Sequence, residues 1–544
     1  MKLLLDKMFL EKMQLLCLCF TILFLPITML PAKYQIMFIG GNLANYPLFL
    51  GLIVFLIYIV KYDVKLPNYM KYYMLIYALW CIVTSIYGAI AYPYYEHINI
   101  FDSPKIVKIL SFLGLEGNNN NIIMIIMCVR SFKIVAFEFS RTFLITIWVF
   151  TLFRNRFEYG FLFIRKYFMV LIGLLCIYAI FEVVYFKFDA LWAKNFLETL
   201  NPFFYDVKSY MGWYPPLILY DKVRSFCTEP GELGAYLALS LPFLWSYMCE
   251  NKKYTYLFYA YIVYLGFATK ARTATLFIML NSCLLPFYLF FQNKLKKVLF
   301  LVVMATTLGF ALNVIDWNFW QTSNFLNLNN KNVTRVTAVN KTTTVKNKNE
   351  SKGTVVKVGA DKRVIYGSNR TMHNAKDYFD KNVATIVSTD KRSNNSRLIV
   401  LKRNFEVIID KWFMGTGYGF KGWYVKEKMN AVDLKNWEIK KIKDTMEKKG
   451  IFVVDYSGGY LFTTAINLGL IGLFLYCLPL LSGVYLTVKR KYYKNLYILT
   501  ILTILVTLYS RQFICSSMTI TYILLGLLYV ALDCKKVEAN LSNE

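Results

Sequence analysis

The sequence predicts an all-α membrane protein with about twelve transmembrane helices and one large external loop domain. Hydrophobic residues make up 57% of its 544 residues and charged residues only 17%, which is a composition outside the usual range of soluble domains. The hydrophobic residues collect in runs of about 17 to 25 residues, the length that a helix needs to cross the hydrocarbon core of a bilayer. We therefore expect a polytopic helical bundle.

The hydrophobic runs give the predicted spans in chain order. They lie near residues 13–31, 46–60, 70–92, 122–153, 167–187, 232–249, 254–269, 272–292, 297–314, 458–488, 495–510 and 513–533. The fourth run is too long for one span and contains four charged residues, so we predict an interfacial segment that leads into one span. No small-residue cleavage site follows the first run, which favours a retained span over a cleaved signal peptide.

The short loops predict the orientation of the chain. Lysine and arginine are dense in alternate loops, for example "VKRKYYKN", and such loops are typically cytoplasmic. Both termini are then cytoplasmic. The external side receives residues 93–121, residues 188–231, the hairpin "TKARTA" and the long segment 316–457.

This topology divides the chain into four regions. Residues 1–315 form a membrane domain with nine spans, residues 316–457 form the external domain, residues 458–533 supply the last three spans, and residues 534–544 are a cytoplasmic tail. The first region includes the external loop 188–231.

The external domain itself has two parts. The insert at about 324–393 is rich in Asn, Lys and Thr, and we expect it to be mobile, with "TVVKV" and "ATIVST" as two short strand-like pieces. At about 394–412 hydrophobic residues recur every three or four positions, which predicts an amphipathic helix that lies on the membrane domain or the bilayer surface. Its apolar stripe contains Leu398, Leu401, Phe405, Ile408 and Trp412.

Several classes of function are disfavoured. The net charge of +29 comes from loop lysines without a basic helix or an aromatic stacking module, so we predict no nucleic-acid partner. The two histidines, His97 and His373, are far apart and no CxxC motif occurs, so we predict no metal site. Nucleotide-binding motifs are also absent, and no cofactor is predicted.

The stretch "RSFCTEPGELGAYLAL" contains the first candidate site residues. Pro230, Glu229 and Glu232 suit the start of a helix, because its dipole favours negative charge there, so helix capping is an alternative role for both acids. Starting a helix does not call for Arg224. A cation beside a helix N-terminus is a binding site for a phosphate or diphosphate group.

Two further arginines are candidates on the external side. Arg272 lies in the tight hairpin "FATKARTATLF" and Arg397 near the N-terminal end of the amphipathic helix. If the hairpin dips into the protein, Arg272 would face the same vestibule as Arg224. Snorkelling to lipid head groups for Arg272 and simple surface exposure for Arg397 are the alternatives.

Four motifs in order resemble the O-antigen polymerase and ligase superfamily. They are "RSFCTEPGELGAYLALSLPF", "ATKARTATL", "NNSRLIVLKRNFEVIIDKWFMGTGYGF" and "YSGGYLFTTAINLGLIGLFLY", within about residues 140–530. The resemblance implies a metal-independent inverting glycosyltransferase of the GT-C type. It would act on the external face of the bacterial inner membrane on oligosaccharides carried by undecaprenyl diphosphate, with membrane lipid and a chain-length regulator protein as further partners.

The resemblance also implies roles for the candidate residues. Arg224, Arg397 and Arg272 would hold the diphosphate, and an acid nearby would be the general base. Glu229 is the first candidate for the base, Asp455 the second and Glu232 the third.

The position before the last block favours one branch of that superfamily. Ligases typically carry a histidine there, whereas this chain has "IFVVDYSGGYLF", which favours a polymerase over a ligase. A lipid-linked oligosaccharide flippase and a structural partner of an export complex remain alternatives.

Overall fold

The computed structural model describes residues 6–36, 39–62, 64, 66–98, 111–112, 120–206, 216–219, 222–252, 254–292, 295–322, 392–449 and 459–533. Helices make up 80% of this part of the chain, which contains no strands. The predicted all-α fold is therefore confirmed there. Asp455, the tail 534–544 and all but the last two residues of the predicted insert 324–393 lie outside the described ranges.

The described α-helices are numbered in chain order. They are α1 (Lys7–Leu23), α2 (Asn45–Tyr62), α3 (Asn68–Ile90), α4 (Asn120–Phe139), α5 (Ile145–Leu152), α6 (Phe157–Phe188), α7 (Leu191–Phe204), α8 (Pro230–Cys249), α9 (Thr255–Ala268), α10 (Arg272–Phe291), α11 (Leu295–Thr322), α12 (Arg392–Asp410), α13 (Lys421–Glu427), α14 (Trp437–Lys449), α15 (Tyr460–Lys489), α16 (Leu496–Arg511) and α17 (Thr519–Asp533).

Five of these helices, α2, α3, α6, α10 and α15, are long and apolar enough to cross a membrane. Shorter apolar helical stretches occur in α9, α11, α16 and α17. Lengths of 18 to 32 residues correspond to about 27 to 48 Å of helix, which matches or exceeds the hydrocarbon thickness of about 30 Å. The chain is therefore a membrane-embedded helical protein.

The long fourth hydrophobic run forms one continuous helical segment, and the prediction that its first part is interfacial stays a prediction. A π-helical turn at Ser140–Leu144 joins α4 directly to α5. Two of its four charged residues have partners on facing segments: Tyr460 donates to Glu138 at 2.6 Å, and Arg141 donates to the carbonyl of Ser517 at 2.8 Å. Because these groups are satisfied within the protein, the helix continues through them.

Helix α8 lies in the centre of the bundle and contacts α6, α9, α10 and α16. Gly234 allows the closest approach, because a Cβ atom there would overlap that of Ala274 on α10. Asn281 of α10 donates to the carbonyl of Ala238 at 3.3 Å and accepts from Thr507 of α16 at 3.3 Å. Small residues and polar side chains of this kind are what hold membrane helices together.

The segment after α12 enters an interruption of α15. Helix α15 is broken at Gly469, whose φ is 68° and ψ is −177°. The amide of Leu470, just beyond the break, donates to the carbonyl of Trp412 at 2.7 Å. On the other side of the break, the carbonyl of Ile466 accepts from Thr416 at 2.7 Å.

A second bond on that side runs from the amide of Gly417 to the carbonyl of Asn467, at 2.9 Å. The turn "GTGYGF" thus replaces hydrogen bonds that the interrupted helix has lost. In a membrane such replacement is required, since unpaired backbone groups there cost several kcal/mol each.

Glycines make this insertion sterically possible. A Cβ atom at Gly469 would overlap the carbonyl of Phe413, and one at Gly88 of α3 would overlap the carbonyl of Thr416. Gly415 has a φ of 70° and lies against the backbone of Gly469. The turn is therefore held between α3 and α15, and we call this contact the α15 interlock.

Helix α12 occupies the position of the predicted amphipathic helix, and its predicted apolar stripe is divided between exposed and buried residues. Leu398 and Phe405 are 50% and 55% exposed, whereas Ile408 of the same stripe is buried together with Val400 and Val407. The buried side also carries polar residues whose partners lie in the segment around α14, so apolar packing and hydrogen bonding together orient α12.

The best-defined of these polar pairs is Arg403 with Asp433. Arg403 donates from Nε to Asp433 Oδ2 at 2.7 Å and from Nη1 to Glu406 at 2.7 Å. Burial opposes ionisation of the Asp433 carboxyl, but the hydrogen bond and the charge of Arg403 lower its pKa below its ordinary value. This charged pair joins α12 to the loop before α14.

We predict that Gly469→Ala destabilises the protein by about 1 to 3 kcal/mol, because alanine at this φ is strained and its methyl group meets the Phe413 carbonyl. Thermal unfolding in detergent should show a lower Tm. The control is Gly173→Ala in α6, where a Cβ atom has nothing within 4 Å. Equal Tm values for the two variants would contradict the interlock.

We also predict that the stabilising effect of Asp433 depends on pH. A carboxyl whose pKa is lowered by folding stabilises the fold above its unfolded pKa of about 3.9, and this effect is lost as the pH falls through the lower folded value. The Tm difference between wild type and Asp433→Asn should thus be full at pH 7 and shrink below about pH 4. Asp444→Asn, at an exposed position of α14, is the control; the same difference at both pH values would refute the pairing.

Candidate functional site

The candidate residues gather where α8, α10 and α15 begin and α16 ends. The amides of Tyr460 and Leu461 at the start of α15 donate to the carbonyls of Cys515 and Gln512 in the loop after α16, at 3.1 and 3.0 Å. Glu232, in the first turn of α8, has Arg511 at the end of α16 as a charged neighbour. We call this region the polar end of the bundle.

The side chain of Arg224 is enclosed by the protein. It is fully buried, its Nη2 donates to the hydroxyl of Tyr205 and to the carbonyls of Pro216 and Leu217 at 2.6 and 3.2 Å, and its guanidinium lies 4.3 Å from the Tyr205 ring centroid. The expected solvent-facing cation is not found in this conformation. A diphosphate would reach Arg224 only after the segment around Leu217 moved, so that role stays a prediction.

Glu182 of α6 fixes the backbone of the same turn. Its Oε2 accepts from the amides of Arg224 and Ser225 at 2.9 and 2.7 Å, and Ser225 has a φ of 55°. Sequence reasoning missed Glu182. The available signal was a single glutamate inside the apolar run "IYAIFEVVYF", since a carboxylate within a span is costly unless it has partners.

The two glutamates of the motif have different surroundings. Glu229 immediately precedes α8, is exposed, and makes no capping hydrogen bond with its side chain. Glu232 lies further in, where the hydroxyl of Thr28 is 3.4 Å from both of its carboxyl oxygens and 2.9 Å from the hydroxyl of Thr228. The motif therefore presents one accessible carboxylate and one that is held by hydroxyl groups.

Arg272 and Arg397 are brought together although 125 positions separate them in the chain. Arg272 is the first residue of α10, and Arg397 in the first half of α12 is its charged neighbour. Arg397 is exposed and Arg272 is half-buried. Two guanidinium groups within electrostatic range repel each other, and an anion bound near both would relieve that repulsion.

The tight hairpin places this cation pair beside the start of α8. Helix α9 ends at Ala268 and α10 begins at Arg272, and a Cβ atom on Gly231 would lie 3.1 Å from the hydroxyl of Thr273. The N-terminal turns of α8 and α10 are therefore neighbours. Helix N-termini carry partial positive charge, which adds to that of the arginines.

The polar end also contains residues that the sequence did not single out. Arg511 is 8% exposed and its Nη1 donates to the carbonyl of Ser516 at 2.5 Å. Tyr476 donates to Gln512 at 2.8 Å and lies 3.0 Å from the hydroxyl of Tyr522. From sequence alone, an arginine that ends an apolar run is indistinguishable from one that snorkels to the interface.

The structure therefore places Glu229 and Glu232 at the start of α8, which neighbours the start of α10 with Arg272, and it places Arg397 within electrostatic range of Arg272. Arg224 is enclosed in the turn before α8. Asp455 lies outside the described residues. Within the ranges that are described, no group of three or more His, Cys, Asp and Glu residues is placed to hold a metal ion.

No protein-family model, no curated protein and no solved structure matches this chain.

We predict that Arg224→Ala lowers the Tm of the protein, because it leaves the Tyr205 hydroxyl and two carbonyls without their donor at roughly 1 to 3 kcal/mol for each unsatisfied group. Arg397→Ala, at an exposed site, should keep the wild-type Tm. Differential scanning fluorimetry of the purified variants measures both. A wild-type Tm for Arg224→Ala together with lost activity would assign Arg224 to ligand binding instead.

Proposed function

We propose that this protein is a polysaccharide polymerase, of the O-antigen or capsule type, in the bacterial inner membrane. It transfers a growing glycan from undecaprenyl diphosphate to the next lipid-linked repeat unit on the external face. The observation that carries the proposal is the Arg272 and Arg397 pair beside two helix N-termini, with the accessible carboxylate of Glu229 at the start of one of them.

The cation pair suits the leaving group of this reaction. When the bond between the anomeric carbon and the diphosphate oxygen breaks, negative charge grows on the departing oxygens. Guanidinium groups donate paired hydrogen bonds to such oxygens, and two helix N-termini add positive potential. This stabilisation needs no metal ion.

The carboxylates suit the acceptor side. The acceptor hydroxyl gives its proton to a carboxylate while its oxygen forms the new bond to the anomeric carbon, from the side opposite the diphosphate, which inverts the configuration. Glu229 is the first candidate for this base because it is exposed and makes no capping bond. Glu232, held by Thr28, is better suited to orienting groups around it, and Asp455 remains a candidate.

The orientation follows from the charge of the short loops. The polar end is then external, both termini are cytoplasmic, and the helices form about twelve spans of a GT-C-like enzyme. A lipid-linked substrate would approach from the outer leaflet, and a chain-length regulator protein would act from the same side.

We predict that Arg272→Ala and Arg397→Ala each reduce glycan elongation by about a hundred-fold, because each removes a donor from the departing diphosphate. Lys402→Ala, an exposed cation on the same helix as Arg397, is the matched control and should elongate normally. A gel of the surface glycan from a deletion strain that carries each variant measures the effect: single repeats for the arginine variants and long chains for the control.

The same gel and an assay of the purified protein separate the alternatives. Long chains of wild-type length from the Arg272→Ala, Arg397→Ala double variant would rule out the diphosphate site. Accumulation of long lipid-linked polymer in the deletion strain would indicate a ligase. Elongation of lipid-linked repeats by the purified protein, without an ion gradient, would exclude transport as the main role.

A further inference from the structure

A cavity of about 510 Å³ lies between α3, the π-helical turn, α15, α16 and α17. Its volume is within the range of small-molecule sites. Hydrocarbon and aromatic side chains form most of its wall, among them Met70, Met74, Phe143, Leu478 and Leu525. We call this cavity the tail slot.

The tail slot is long compared with its volume. Its wall runs from Tyr476 of α15 to Arg490, the residue just after that helix. Fourteen residue steps correspond to about 21 Å of helix, which is most of the hydrocarbon core of a bilayer. Tyr69 lies at the end near Arg490 and is 50% exposed. The shape suits one extended hydrocarbon chain rather than a compact ligand.

One end of the tail slot reaches the polar end of the bundle. Tyr476 and Tyr522 line the slot there, and their hydroxyls bond to Gln512 at 2.8 Å and to Ser517 at 2.8 Å, respectively. The carbonyl of Ser517 in turn accepts from Arg141 at 2.8 Å. An apolar chain in the slot would thus end beside cationic and hydroxyl groups.

Charged residues near this end of the tail slot also lie near the candidate site. Arg141, Arg511 and Glu232 are all within electrostatic range of Tyr236 of α8. Glu232 belongs to the motif whose helix starts beside Arg272. The end of the slot and the site for the leaving group therefore lie in the same region of the protein.

The opposite end is a poorer place for an anionic head group. The side chain of Asp533 lines the slot there and lies 3.7 Å from Arg154, while Arg490 donates to the carbonyl of Leu532 at 2.8 Å. An anionic head group at this end would lie beside the carboxylate of Asp533, whereas tyrosine hydroxyls line the slot at the polar end. The slot therefore favours an amphiphile whose anionic head lies at the polar end.

We propose that the tail slot binds the isoprenoid chain of the lipid-linked substrate, with the diphosphate at the polar end. This proposal rests on the proposed function, which supplies the identity of the chain. The apolar wall removes the chain from the bilayer and fixes its direction, so that the diphosphate is presented to Arg272 and Arg397. Substrates with a long chain should bind more tightly than those with a short one.

Cavity-filling variants test this. Leu478→Trp on α15 and Met74→Trp on α3 place an indole in the slot, and their matched controls are Leu481→Trp and Leu75→Trp, at sites that are 51% and 57% exposed. Native mass spectrometry of the full chain in detergent, titrated with undecaprenyl phosphate, should give about ten-fold weaker binding for the filled variants and no change for the controls. Wild-type affinity in both filled variants would overturn the proposal.

Two further experiments test whether the slot binds bilayer lipid in general and cover the case in which the filled variants do not fold. If phosphatidylglycerol binds wild type as tightly as undecaprenyl phosphate, and the filled variants weaken both equally, the slot takes bilayer lipid in general and the proposal fails. If the filled variants do not fold, an undecaprenyl phosphate with a photoreactive group in its chain should label the wild-type protein on α3 and α15. Labelling confined to other helices would overturn the proposal.

Measurements of glycan elongation distinguish a failure of this proposal from a failure of the proposed function. The filled variants should lose elongation of repeats on the long carrier and keep elongation of the same repeats on a two-isoprene carrier. If wild type elongates neither, the polymerase proposal fails, while the binding experiment still decides whether the slot takes an isoprenoid chain.

Discussion

The backbone bonds of the α15 interlock are the constraint on which the rest of the described structure depends. A helix that breaks inside a membrane exposes amides and carbonyls that lipid cannot satisfy. In this chain the turn after α12 supplies the missing partners: Trp412 accepts from Leu470, and Thr416 donates to Ile466. The break in α15 and the segment 392–449 therefore require each other. Since α12 carries Arg397, the interlock also sets where that cation lies.

The proposed chemistry follows from this placement. Arg397 would be an ordinary surface arginine if α12 lay elsewhere, but the interlock brings it to Arg272 at the start of α10. Gly231 and Gly234 let the starts of α8 and α10 approach closely, so two helix N-termini and two cations converge. Such a concentration of positive potential favours an anion with several oxygens, and a lipid diphosphate is the anion that a membrane site would meet.

The enclosed Arg224 has a different role from Arg272 and Arg397. Arg224 and Glu182 were both costly to place inside an apolar bundle, and each is stabilised by several hydrogen bonds. Together they hold the turn "RSFC" just before α8, and Glu229 follows that turn at the helix start. In the described conformation Arg224 therefore stabilises the backbone next to the site. Direct binding of a ligand by Arg224 would require a second conformation of the segment near Leu217.

The sequence by itself determined the helical membrane class, the amphipathic helix α12, the hairpin between α9 and α10 and the motif at the start of α8, because hydrophobic periodicity and helix-start signals are local properties of the chain. Only the tertiary structure decided that Arg224 is enclosed, that Glu182 anchors its backbone, which residues of α12 are buried, and that Arg272 and Arg397 lie within electrostatic range of each other. Each of these depends on contacts between residues far apart in the sequence. A charge has the same local signature whether it will face a ligand, a lipid head group or a buried carbonyl, and only packing distinguishes them.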